Sequence, residues 1–76
     1  MENPNSFLLY PNPTEGIIHI SGKESVDAIR LINISGQLIK EVKNANTLDL
    51  SGQRNGLYMI EIENEGSTTT GKLIKR

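Results

Sequence analysis

His19 is the one imidazole in the sequence, and it stands between Ile18 and Ile20. In a strand that alternation turns it outward, onto the polar face. With no second histidine and no cysteine, the chain lacks the pair of ligands that opens a zinc site. Ser21, Ser35 and Ser51 each precede a glycine, and no histidine sits in a pattern that would activate one of them as a nucleophile. They read as turn residues. Glu61, Glu63 and Glu65 fall on one parity of one apolar stretch. Paired catalytic carboxylates converge from different elements across a cleft. These three therefore read as a solvated strand face, with a weak calcium site as the functional alternative. No phosphate-cradling glycine loop occurs. Phe7, Tyr10 and Tyr58 are too few aromatics for a stacking platform. The remaining concentration of charge is at the end, where Lys72, Lys75 and Arg76 crowd the last five residues and no acid follows Glu65. Lysines there can protect an edge strand from aggregation, or can form a basic terminus offered to a receptor.

The elements that must carry these residues have the period of strands. Ile18 and Ile20 alternate with His19, Leu48 and Leu50 bracket Asp49, and Tyr58, Ile60 and Ile62 alternate with Met59, Glu61 and Glu63. β-branched residues dominate, as half-buried pleated surfaces favour. Turn signals recur between the runs at Ser21-Gly22, Ser35-Gly36, Ser51-Gly52, Asn55-Gly56 and Glu65-Gly66. This predicts strands near 7–10, 16–21, 26–34, 37–43, 47–50, 56–63 and 67–75, and no helix. Seven short strands bury their apolar faces by facing one another, so the fold class is all-β, a small antiparallel β-sandwich. The expected core is Leu9, Ile18, Ile20, Ile29, Leu31, Ile39, Leu48, Leu50, Tyr58, Ile60 and Ile62. Pro11 and Pro13 flank Asn12. Each proline fixes its own φ and pushes the preceding residue toward extended backbone, making a stiff corner. Thr14, Glu15 and Gly16 then supply turn chemistry, with Gly16 free to take positive φ.

Length and charge limit the function. Seventy-six residues make one small domain. A net charge of −1 gives no electrostatic reason to expect nucleic acid or an anionic membrane as partner. No apolar run is long enough for a membrane-spanning helix, so no direct membrane insertion is expected. The absence of cysteine removes disulfides and a thiol nucleophile together. No basic stretch followed by an apolar segment opens the chain, so no signal peptide is expected within it. Residues 1–6 read as linker or as the remnant of an excised fragment, and residues 7–76 as the domain. No cofactor and no catalysis are expected.

An ordered set of motifs spans nearly the whole chain. Tyr10-Pro11-Asn12-Pro13 with Gly16 leads into an apolar strand. Asn33-Ile34-Ser35-Gly36-Gln37 ends a second. Leu48-Asp49-Leu50-Ser51 runs on to Asn55-Gly56-Leu57-Tyr58 and a last alternating strand, and the chain closes on a lysine-rich apolar terminus. This order resembles the type A C-terminal sorting domain of the type IX secretion system of Bacteroidetes. The family motif falls on Pro11, Asn12, Pro13 and Gly16, on Gly36 and Gln37, on Gly56 and Tyr58, and on Lys72 and Lys75. Where the family often carries an aromatic followed by an acid, this chain has Ile32 and Asn33. Asn33 can still bond the turn backbone.

The resemblance implies an Ig-like sandwich at the C-terminal end of a larger exported protein. It implies a cargo fused on the N-terminal side, transit through the periplasm, and delivery to the outer-membrane translocon. A sortase-like peptidase then removes the domain, and the cargo ends at the outer-membrane surface or is released. The terminus Lys72, Leu73, Ile74, Lys75 and Arg76 is the candidate for translocon recognition. It is expected to be an edge strand whose last four residues can be lost without unfolding the sandwich. An Ig-like surface adhesion or binding module is the alternative reading.

Overall fold

The structure, a computed structural model, describes residues 8–11, 13–21 and 25–76. Among them there is no helix, and seven strands follow in order: β1 (Leu9–Tyr10), β2 (Ile17–Ile20), β3 (Val26–Ile32), β4 (Leu38–Ala45), β5 (Thr47–Asp49), β6 (Gly56–Asn64) and β7 (Ser67–Lys75). Each bound lies within two residues of the alternation-based expectation. Asn12, the expected strand start at Phe7 and the turn glycine Gly22 lie outside the described residues.

The strands form two antiparallel sheets that face each other. One is small, ordered β1-β2-β5, and the other is larger, ordered β4-β3-β6-β7. Alternation dictates which residues meet between them. In the small sheet Ile18 pairs with Leu48, and in the large one Leu31 pairs with Ile60 and Ile29 with Ile62. All six are buried, with Ile20, Val26, Leu50, Tyr58 and Leu73 completing one core cluster. The expected all-β sandwich is the observed one.

Three details of the core differ from the alternation pattern. Ile39 is not a core residue. The β3–β4 register steps from Leu31↔Lys40 to Ile32↔Leu38, so Ile39 is the unmatched residue of a bulge. A bulge turns the strand over by one residue, and it leaves Ile39 38% exposed. Beyond it Lys40 takes the inward parity, and its ammonium donates to the Asp49 carbonyl of β5 at 2.8 Å, tying the facing edges of the two sheets. Leu9 is half-buried and packs against the cluster from its rim. Val26, Ala28 and Leu73 are buried although the pattern did not place them there.

The turns use residues that tolerate left-handed backbone. Gly36 (φ 88°) and Gly52 (φ 87°) follow Ser35 and Ser51, and Glu65 (φ 53°) with Gly66 (φ 81°) closes the β6–β7 hairpin. Gly16 does not have positive φ. A Cβ there would come to 3.4 Å from the Ser51 hydroxyl, about an ordinary contact. Asp49 fixes the next turn by accepting from the Ser51 N–H at 2.8 Å. The Ser51 hydroxyl and N–H, with a smaller contribution from Lys40, hold the Asp49 carboxyl below its ordinary value.

Two outcomes are expected. Leu73→Ala should cost about 2–5 kcal/mol in denaturant melts, as a buried truncation does, while Ile74→Ala, its exposed neighbour, should stay within about 0.5 kcal/mol. The depressed Asp49 value also sets a pH dependence. Its contribution is complete above the unfolded carboxyl value of about 4 and is lost as pH falls through the lower folded value. Asp49→Asn should therefore flatten the acid limb of the stability curve below about pH 4 relative to the parent.

Candidate functional site

The proline corner switches the chain from one sheet to the other. Before it, Leu9 and Tyr10 pair with Ile20 and His19 of the small sheet. After it, Thr14 forms a parallel bridge to Lys75 of the large sheet. The Thr14 N–H donates to the Ile74 carbonyl and the Arg76 N–H donates to the Thr14 carbonyl, both at 2.8 Å. Thr14 is 1% exposed. Its hydroxyl donates to the Ile17 carbonyl at 3.2 Å and accepts from the Gly16 N–H at 3.1 Å, which fixes the bend into β2. Pro11 and Pro13 are exposed. With Thr14, Gly16, Ile17 and Arg76 they line a hollow of about 350 Å³.

The Gly-Gln turn is held by Asn33. Its carboxamide oxygen accepts from the Ser35 and Gln37 N–H groups at 3.0 and 2.9 Å, and its amide nitrogen donates to the Gln37 side chain at 2.9 Å. So where the family resemblance leads one to expect an acid, Asn33 binds the turn backbone through its carboxamide oxygen. Gly36, at φ 88°, closes the loop by donating to the Asn33 carbonyl at 3.0 Å. Gly56 has φ 147°, and the Tyr58 hydroxyl donates to the Arg54 carbonyl at 2.6 Å, so Tyr58 is 7% exposed and anchors the loop before its own strand. The two turns face each other across a cleft of about 590 Å³, walled by Ile34, Ile39, Arg54, Asn55 and Leu57 among others.

The terminus does not form a single basic patch. Leu73 is fully buried and Lys75 is 9% exposed, whereas Lys72 and Ile74 point outward. The Lys75 ammonium reaches the Asn55 carboxamide oxygen at 3.3 Å, next to the Tyr58 loop. The expected open edge is also closed at Ile74 and Arg76, because Thr14 occupies it. The expectation that Leu73–Arg76 can be removed without harm to the sandwich is therefore corrected: that deletion takes out a core leucine and an inward lysine. Charge count suggested one surface, and strand parity divides it between two.

The motif positions nevertheless converge. Lys75 is registered with Gly56, and Met59 with Ile32, which leads into the Asn33–Gln37 turn. Thr14 joins the corner to Lys75. Corner, both turns and the last residues lie at one end of the sandwich, with Lys72 just inside it on the exposed face. Sequence reasoning missed Thr14 and Asn55. The signal for Thr14 was its place directly after the second proline, where a β-branched residue is poised to extend the backbone.

The other candidates are spread elsewhere. His19 is exposed and stacks on Tyr10, with ring centroids 5.3 Å apart. Glu61 and Glu63 are not simply solvated. Arg30 donates to Glu63 at 2.6 Å, to Glu41 at 2.7 Å and to Glu61 at 3.4 Å across three strands. The bonds to Glu63 and Glu41 raise the guanidinium above its ordinary value, against the desolvation that lowers it. Glu65 lies in the hairpin turn, where its N–H donates to the Asp27 carboxylate. No group of three histidine, cysteine or acidic residues among the described residues is placed to hold a metal ion.

No curated protein gives a significant match to the chain. A family model described as the secretion system C-terminal sorting domain matches residues 8–76. The match takes in the corner, both turns and the terminus, the same positions that the fold gathers at one end. It supports a role as a C-terminal sorting signal in type IX secretion, acting for a cargo on its N-terminal side and leading to export to the outer-membrane surface or beyond. It lends no support to the adhesion or binding-module alternative. The chain belongs to the secretion system C-terminal sorting domain family.

Proposed function

We propose that the domain is a non-catalytic signal which the type IX translocon reads at the end where the motif positions converge. The observation that carries this reading is the splitting of the terminus. Lys72 and Ile74 are presented outward while Leu73 and Lys75 lock the strand that presents them. A receptor then meets a fixed side-chain pattern rather than a mobile tail, which reduces the ordering cost of binding. Lys72 steers an acidic receptor surface and sets register, and Ile74 supplies apolar contact. Arg76 marks the end of the strand beside the proline corner. Pro11, Pro13 and Gly16 give the cargo a stiff exit. Gly36, Gln37, Gly56 and Tyr58 brace the same end from the other side.

The wider reading follows the family. The cargo crosses the periplasm with this domain attached, and the translocon passes it through the outer membrane. A sortase-like peptidase then removes the domain, leaving the cargo attached at the surface or released. Neither step requires a cofactor or a catalytic group in this chain.

The test is a periplasmic reporter fused ahead of residues 1–76 in a type IX-competent strain. Lys72→Glu combined with Ile74→Asp should abolish secretion while leaving the melting temperature within a few degrees of the parent, because exposed substitutions contribute little to stability. Lys43→Glu, also exposed but on β4 at the opposite edge of the same sheet, should be exported normally. Full export of the double variant would contradict recognition at the terminus. Mass spectrometry of the exported reporter should find residues 8–76 missing, and a reporter that keeps them would contradict removal.

A further inference from the structure

The Thr14 bridge joins the segment on the cargo side directly to the C-terminal strand. Along its length β7 pairs with β6, its antiparallel hairpin partner. At Thr14 the two chains run in the same direction. A pull on the N-terminal side draws Thr14 backward along its own strand. A pull on the C-terminal side draws β7 forward along the same line. The opposed forces slide one strand past the other, so both 2.8 Å hydrogen bonds are strained together. Neither can open first, as the outermost bond does when a hairpin is peeled.

The parts around the bridge suit it to bear load. Thr14 is 1% exposed, and its hydroxyl is bonded both to the Ile17 carbonyl and to the Gly16 N–H. Slippage must break that bend as well. On the β7 side, Leu73 is fully buried and Lys75 is directed inward to Asn55. Upstream, Leu8 accepts from the Ser21 N–H at 3.0 Å, and Leu9 and Tyr10 are paired into β2, so a pull from the cargo side is shared between these contacts and the Thr14 bridge.

We propose that the Thr14 bridge is a mechanical clamp. It transmits tension between an N-terminal cargo and a C-terminal strand held by the secretion machine, and it keeps the sandwich folded while that tension acts. The proposal rests on the reading that cargo lies on the N-terminal side and that β7 is the gripped element. It adds a load-bearing role to residues that the sorting function does not by itself require.

The experiment is single-molecule force spectroscopy on the whole 76-residue chain, held by handle domains at its two ends. Forced unfolding reads the unfolding rate along the pulled direction. Arg76→Pro removes the N–H that donates to Thr14 at an exposed position, and Lys75 before it is in a strand, the extended conformation that a following proline favours. At fixed load it should unfold roughly five-fold faster, the effect of losing one hydrogen bond. Its unfolding rate in denaturant should change clearly less. Thr14→Val keeps the buried shape but removes the hydroxyl bonds, and should accelerate forced unfolding in the same sense. If either variant speeds forced unfolding no more than unfolding in denaturant, the bridge is an ordinary stabilising contact and the clamp is refuted. The measurement uses no secretion strain, so its outcome is independent of the export assay.

Discussion

The fold hangs on the contact between a small sheet and the larger one that covers it. The strands of the small sheet have two, four and three residues. Such a sheet is too short to persist in water unless its apolar face is covered. Ile18 and Leu48 sit side by side at its centre, and Leu31 and Ile60 sit side by side in the facing sheet. All four are essentially without solvent exposure. Remove that contact and β1, β2 and β5 have no reason to stay. The Asp49 turn, the Lys40 tie between edges and the proline corner all secure the rims of this one packed layer.

That dependence makes the terminus part of the structure. The large sheet ends in β7, and β7 supplies Leu73 to the shared core. A chain end is ordinarily where disorder begins. Here it is tied by Thr14 on one side and by Gly56 on the other. The outward residues Lys72 and Ile74 inherit their fixed positions from the inward ones. In the proposed reading, recognition and stability draw on alternate residues of one strand, and a substitution acts on one or the other according to parity.

Much of this was legible in the sequence because strand alternation is direct. Tyr58, Ile60 and Ile62 needed only their spacing to be placed inside, and Ser35-Gly36 and Ser51-Gly52 marked turns that do use positive φ. The buried hydroxyl of Tyr58 needed a partner, and the Arg54 carbonyl provides one. Ile39 was misread because a bulge changes parity without leaving a glycine or proline to announce it. Glu61 and Glu63 looked like a solvated face because Arg30, two strand segments away in sequence, gave no local sign that it would lie between them. Lys75 was grouped with Lys72 by charge, although Leu73 and Lys75 share the parity of the core. The bridge from Thr14 to β7 joins residues from opposite ends of the chain, and no local pattern encodes such a pairing.

The central claim is that the chain end is an integral part of the sandwich, fastened by the proline corner. Native-state amide hydrogen exchange tests it most directly, since exchange reports the opening free energy of each bonded N–H. The account predicts that the amides of Thr14 and Arg76 are protected, and that they open together with Leu73 in one cooperative unit. Free exchange at Thr14 and Arg76 while Ile60 and Ile62 remain protected would contradict it.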